Sequence, residues 1–228
     1  MGRVMKFFLD TASLDEIQKW KPYGVVQGVT TNPTLLSKEG NNAIEQLKKI
    51  TSIINGPVSA QVTYLKHDDM ISQGKALSKL AENIVVKVPA NTEGLLAAKE
   101  FHANSIPCNV TLTFDPSQAL PFCLIPVTYV SLILGRTEDF GIRDLGRVKQ
   151  LRDIIDVISS KSNLLSASIR NSQHLIAAII GKSDVITIPP TTWNNIYNNP
   201  FTISGEKDFL SAWNSLPKTL REEYEELT

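Results

Sequence analysis

A lysine interrupts the apolar run Ile84-Val85-Val86-Lys87-Val88-Pro89, in a stretch that reads as a strand covered on both faces. An inward-pointing amine there is partly desolvated, which disfavours the ammonium, lowers the pKa and leaves a neutral nitrogen able to attack a carbonyl. The same pattern also fits a strand-end lysine that reaches solvent or a carboxylate. Asp10 closes a second run, Lys6-Phe7-Phe8-Leu9, where a carboxylate at the strand end can supply the proton transfers of amine–carbonyl chemistry. Followed by Thr11-Ala12-Ser13, it equally suits the cap of a helix.

Other strands carry polar residues where apolar ones are the rule. Gly28-Val29-Thr30-Thr31-Asn32-Pro33 ends a strand in hydrogen-bonding side chains and reads as either a turn or a substrate cradle holding Thr30 and Asn32. Gln61 is a further strand polar group, and Asn109 and Thr111, two residues apart, share one face of a pleat. Asn109-Val110-Thr111 is also a glycosylation sequon, a chance match in a chain with no export signal. Ser166-Ala167-Ser168-Ile169-Arg170-Asn171 passes from strand to helix and offers hydroxyl, backbone N–H donors and a guanidinium at one place, a combination suited to phosphate. Arg136, after Leu134-Gly135, can add a second positive charge. Each arginine also fits a surface ion pair.

These groups need a scaffold that brings them together. Strand-length apolar runs recur at residues 6–9, 24–30, 58–62, 84–88, 107–111, 128–132, 164–168 and 185–188. Helix-period segments lie between them at 43–54, 70–80, 92–104, 148–159 and 173–181, with start signals at Ser13, Thr92 and Asp115-Pro116. Eight βα units imply an α/β fold in which one (β/α)8 barrel closes on itself. An open doubly wound sheet would carry a glycine-rich phosphate turn after its first strand, and Leu9-Asp10-Thr11-Ala12-Ser13 has no glycine. Residues 1–228 are therefore expected to form a single barrel domain. A polar connection after Pro200 is followed by helical segments at 208–216 and 220–227, an appendage over roughly 201–228 suited to covering the barrel mouth or a neighbouring subunit.

Lys plus Arg and Asp plus Glu number 23 each, so no overall field recruits nucleic acid or an anionic membrane surface. Residues 119–134 are interrupted by Pro121 and Pro126 and are shorter than the ~20 residues of a spanning helix. Cys108 and Cys123 lack metal or disulfide-scaffold spacing, and the N-terminal apolar run ends at Asp10, which together point to a reducing, cytoplasmic setting. His67, His102 and His174 share no ligand spacing, so no metal set is expected and no role is assigned to them. Trp20, Trp193 and Trp213 are read as packing residues.

The ordered set Phe8-Leu9-Asp10-Thr11, Gly28 to Pro33, Ile84 to Pro89 with Thr92-Glu93-Gly94-Leu95, Asn109-Val110-Thr111-Leu112 and Ala167-Ser168-Ile169-Arg170 resembles the small transaldolase and fructose-6-phosphate aldolase family over nearly the whole chain. The resemblance implies a Schiff-base barrel acting on ketose phosphates. Lys87 would form the imine, Asp10 would move protons at the hydroxyl beside the broken bond, and Asn32 would hold a substrate hydroxyl. Gln61 and Thr111 would position the catalytic water, while Ser168, Arg170 and Arg136 would bind phosphate. It implies no metal and no organic cofactor, because the protonated imine is the electron sink. It also implies sugar-phosphate substrates and assembly into a homo-oligomeric ring, often through the C-terminal helix, with Trp213 near a subunit contact.

Two positions depart from the family pattern. Transaldolase-type members tend to carry Glu where this chain has Gln61. Leu132 and Ile133 replace the usual Pro and aromatic residue, and the aldolase branch places a tyrosine hydroxyl where Ile133 has none. An apolar Ile133 cannot activate water, so the expected activity is transaldolase, with fructose-6-phosphate aldolase as the alternative.

Overall fold

A computed structural model describes residues 4–40 and 42–227. The chain divides into two compact units, the first running to Thr192 and the second beginning at Trp193.

The first unit alternates strand and helix, with two helices between its second and third strands. It opens with β1 (Lys6–Asp10), α1 (Leu14–Trp20), β2 (Val29–Thr30), α2 (Pro33–Lys38) and α3 (Ala43–Ile53). β3 (Val58–Gln61), α4 (His67–Ser78), β4 (Ile84–Pro89) and α5 (Thr92–Ala103) follow, then β5 (Cys108–Thr113), α6 (Pro116–Leu124) and β6 (Tyr129–Ile133). α7 (Arg147–Val157), β7 (Asn163–Ala167), α8 (Ser172–Ile180) and β8 (Val185–Ile188) complete the eightfold count, with α9 (Pro190–Tyr197) after it. The strands form a closed parallel barrel in sequence order, β1 pairing with β8 from Lys6↔Val185 to Leu9↔Ile188. The expected (β/α)8 barrel is the fold.

Strand alternation sorts the core into two layers. Val86, Val110, Val130, Leu164 and Ile186 are fully or almost fully buried, as are the helix residues Ile17, Ile50, Phe101, Leu151 and Ile155. The opposite parity points into the barrel, where Phe8, Val85, Tyr129, Leu165 and Val185 form one apolar cluster. Phe8 and Tyr129 meet edge to face there, centroids 5.9 Å apart and planes at 84°. Each such aromatic pair adds about 0.5–1.5 kcal/mol beyond the area it buries.

The structure moves three sequence-derived boundaries. The second strand was expected over 24–30 but pairs only at Val29–Thr30. Gly24 turns left-handed at φ 72°, and Gly28 lies against Phe8 so closely that a Cβ would stand 2.6 Å from the ring, so this chain approaches the barrel as a bend. α4 starts at His67 rather than Met70, because the backbone N–H of His67 donates to the Glu93 carboxylate at the start of α5. The helix expected to be capped by Thr92 is capped by Asn91, whose Oδ1 accepts from Gly94 N while Thr92 is already helical. Ser13 does cap α1, and Asp115 makes a capping box with Gln118 at the start of α6.

In the second unit, the stretch read as a polar connection after Pro200 is helix. α10 (Pro200–Ser215) starts there because Asn199 Oδ1 accepts from Phe201 N and Thr202 N, with proline at the first helical position. α11 (Lys218–Glu225) follows, and Trp213 packs on Tyr224 at 5.0 Å. Among the described residues no helix is long and apolar enough to cross a membrane.

Candidate active site

At the C-terminal ends of the strands the first unit opens into a cavity of about 390 Å³. Its lining includes Asp10, Thr30, Asn32, Gln61, Lys87, Thr111, Arg136, Ser168 and Arg170, nine of the ten residues singled out from sequence. They come from seven different strands or the loops after them, and pairing register does the gathering. Asp10 lies opposite Thr30, Gln61 opposite Lys87 and Lys87 opposite Asn109, so inward-facing groups on neighbouring strands fall at one height.

The tenth residue, Asn109, is placed differently. It is fully buried and does not line the cavity. Its Nδ2 donates to Ser59 Oγ at 3.0 Å and its Oδ1 accepts from Ser131 Oγ at 2.6 Å, a chain of side chains across β3, β5 and β6. With both ends of its amide satisfied inside the protein, Asn109 ties strands together rather than facing a ligand. Asn109 shares the inward face with Thr111, as their spacing predicts, but not a place on the cavity.

Lys87 is 8 % exposed, flanked by Val86 and Val88, which point the other way into the helix layer. Its Nζ donates to the Thr31 carbonyl at 3.3 Å, a long contact. Burial pushes its pKa below the usual lysine range, partly opposed by the charge of Asp10 and reinforced by the charge of Arg136. Burial likewise pushes the Asp10 carboxyl up, with Lys87 and the Thr30 hydroxyl pulling it back. Burial thus acts on both partners in the same sense, favouring the neutral amine on Lys87 and the protonated carboxyl on Asp10.

Around this pair the polar groups fall into two kinds. Thr30 Oγ1 donates to Asp10 Oδ1 at 2.8 Å and stands 2.6 Å from Thr187 Oγ1, so with its single proton committed to Asp10 it accepts from Thr187. Asn32 Oδ1 accepts from Leu35 N as the cap of α2, and the residue also lines the cavity. Gln61 and Thr111, by contrast, make no side-chain hydrogen bond within the described residues and offer their donors and acceptors to a ligand or water.

The mouth is built from the loops after β6 and β7. Arg136 is exposed and has no ion-pair partner among the described residues. Arg170 is held by Asp139, with NH2 donating to Oδ2 at 2.9 Å and NH1 donating to Oδ1. Ser168 sits left-handed at φ 58° and Leu112 at φ 60°, both lining the cavity. Such backbone costs about 1–2 kcal/mol per non-glycine residue, so tertiary contacts must hold it. Gly135 supplies one, its N–H donating to Ser168 O at 3.0 Å, with no room for a Cβ, which would lie 2.4 Å from that oxygen.

Sequence reading missed several members. Thr187, on Val185-Ile186-Thr187-Ile188, was detectable by the parity argument used for Asn109 and Thr111. Ser131 was visible in the same way. His174, to which no role was assigned, is 1 % exposed and bridges the two mouth loops, a placement its helical context did not disclose. Among the described residues no group of three or more His, Cys, Asp or Glu side chains is placed to hold a metal ion.

Comparison with known proteins gives a family and a fold. Residues 7–226 match the family model described as Transaldolase/Fructose-6-phosphate aldolase. A probable transaldolase of Lactiplantibacillus plantarum is 42 % identical over 215 residues, covering 94 % of this chain and 99 % of the relative. One from Geotalea uraniireducens is 42 % identical, covering 94 % and 100 %, and one from Bacillus cereus 41 % identical, covering 92 % and 97 %. Among solved structures, thiamine phosphate pyrophosphorylase from Pyrococcus furiosus superposes with a TM-score of 0.57 at 12 % identity, covering 81 % of this chain and 85 % of that one, a likeness of fold alone.

Proposed function

Because the chain belongs to the transaldolase/fructose-6-phosphate aldolase family, we propose that it is a transaldolase that moves a dihydroxyacetone unit from a ketose phosphate to an aldose phosphate through an imine on Lys87. The observation that carries the reading is the buried Lys87 amine, driven towards its neutral form, facing Asp10 in a cavity whose mouth holds an unpaired arginine.

Lys87 Nζ attacks the ketose carbonyl at C2, and loss of water gives the protonated imine. Asp10 takes the proton of the C4 hydroxyl, the C3–C4 bond breaks, and its electrons pass into the imine to form an enamine while an aldehyde phosphate leaves. Attack of the enamine on a second aldehyde phosphate reverses these steps, and water returns to release the new ketose. Gln61 and Thr111, with free hydrogen-bonding groups on the cavity, position that water, and Asn32 Nδ2 holds a substrate hydroxyl. Arg136, Ser168 and Arg170 bind the phosphate. Every carrier of charge in the scheme is a side chain or the imine, so the cycle requires no cofactor.

The second reading is fructose-6-phosphate aldolase, in which water releases free dihydroxyacetone. Gln61 favours it. Ile133 opposes it, because its apolar side chain, packed with Leu165 and Ala167 in the cavity wall, cannot activate the hydrolytic water. Borohydride reduction in the presence of fructose 6-phosphate, followed by peptide mass spectrometry, tests the imine: a reduced adduct on Lys87 is expected, and substrate binding without an adduct on any lysine sinks the proposal. Dihydroxyacetone formed without an acceptor aldehyde selects the aldolase reading.

A further inference from the structure

Phosphate recognition at this mouth needs two loops in register, since Arg136 follows β6 while Ser168 and Arg170 follow β7. A buried histidine from a third segment joins them. His174 lies in the first turn of α8, where its own N–H donates to Asn171 Oδ1 at 2.9 Å, and its ring is 1 % exposed. Its Nδ1 accepts from the backbone N–H of Arg170 at 3.2 Å, and its Nε2 stands 2.9 Å from Glu138 Oε1. A backbone N–H can only donate, so Nδ1 carries no proton and the ring is the neutral tautomer with its hydrogen on Nε2, aimed at Glu138. Glu138 sits two residues after Arg136 in the 3-10 turn Gly135–Phe140. The ring therefore fastens the Arg170 backbone to the turn that carries Arg136.

Two backbone carbonyls of the β7 loop are already taken. Ser168 O accepts from Gly135 N, and Ile169 O accepts from Thr192 Oγ1 at 2.8 Å. The Arg170 N–H is the one that reaches a side chain bonded to the opposite loop. Without that link, left-handed Ser168 and the start of α8 lose a restraint on a conformation that is costly on its own.

We infer that His174 and Glu138 are positioning residues for the phosphate receptor, setting the spacing of Arg136 against Ser168 and Arg170 without touching substrate. The inference rests on the assignment of phosphate binding to this mouth in the proposed function. Its signature is selectivity, because a loosened receptor weakens phosphate-bearing substrates and leaves imine chemistry on unphosphorylated ketones untouched.

Glu138→Ala and His174→Gln should each raise KM for fructose 6-phosphate about tenfold or more, with kcat changed far less. Borohydride trapping of dihydroxyacetone on Lys87 should keep its wild-type concentration dependence, and Glu138→Gln, which keeps an acceptor for Nε2–H, should recover most of the loss. The stabilisation of the folded protein by inorganic phosphate, read as a shift in Tm, should shrink in Glu138→Ala. Equal losses on phosphorylated and unphosphorylated substrates, or unchanged KM in both variants, overturn the inference. A wild-type protein stabilised by phosphate but forming no adduct sinks the imine reading alone; the phosphate shift in Glu138→Ala then decides this one.

Discussion

The hydroxyl of Thr30 donates to Oδ1 of Asp10 at 2.8 Å and, after the charge of Lys87, helps keep this buried carboxyl from rising further. Thr30→Val removes the donor, so the Asp10 pKa moves up and the acid limb of the pH–activity profile moves to higher pH. The variant also leaves Thr187 Oγ1 without its partner, at a cost of about 1–3 kcal/mol. An acid limb at unchanged or lower pH, with the fall in Tm present, contradicts the coupling.

Lys87 feels two charges of opposite effect. Asp10 holds its pKa up against the larger lowering by burial, and Arg136 adds to that lowering. Asp10→Asn should therefore shift the pH dependence of imine formation with dihydroxyacetone downwards, and Arg136→Gln should shift it upwards. Borohydride trapping across pH gives both midpoints. Shifts in the same direction count against the electrostatic account.

The mouth arginines are unequal. The charge of Arg170 is already answered by Asp139, whereas Arg136 has no partner among the described residues. Arg136→Gln should cost the larger loss in kcat/KM for a phosphorylated ketose, about 1.5–3 kcal/mol or roughly 10–100-fold, and Arg170→Gln less. Steady-state kinetics on the two variants decides the order.

Ile133 is 7 % exposed in the cavity wall. Ile133→Tyr places a phenol there and is expected to raise the release of free dihydroxyacetone from fructose 6-phosphate without an acceptor. Overpacking at such a site costs about 1–3 kcal/mol, so Tm is measured alongside. A folded variant with no gain in release argues that this wall does not govern access of water to the imine.

Burial pushes the Cys108 thiol up to about 12 and the Cys123 thiol up to about 11. At pH 8 roughly one Cys108 in 10⁴ is thiolate, so neither thiol should react with iodoacetamide until the chain is unfolded. A thiol whose folded pKa lies above its unfolded value of 9.0 binds more protons when folded. Its contribution to stability is whole below about pH 9 and is lost as pH rises towards 11–12. Native-state alkylation at pH 8, followed by intact mass, checks this.

Much of this was legible in the order of residues. Apolar runs of strand length separated by helical patterns dictate eight βα units, because a strand covered on both faces has to be apolar throughout. The exceptions Lys87, Asp10, Gln61 and Thr111 then stand out as groups that a stability argument alone does not place there. Local hydrogen bonding at Ser13 and Asp115 is decided within four residues, and sequence read it correctly.

The tertiary structure decided what depends on partners far along the chain. The start of α4 is set by Glu93, 26 residues away, and the shortness of β2 by the ring of Phe8 against Gly28. Asn109 and Thr111 share a face, yet only closure of the barrel puts one against Ser59 and Ser131 and the other on the cavity. His174 looks like any helical histidine until α8 docks and its ring meets Glu138 and the backbone of Arg170. Periodicity is a local property that propensity and burial impose residue by residue. Exposure, pairing and protonation belong to surroundings that exist only once the eight strands have closed.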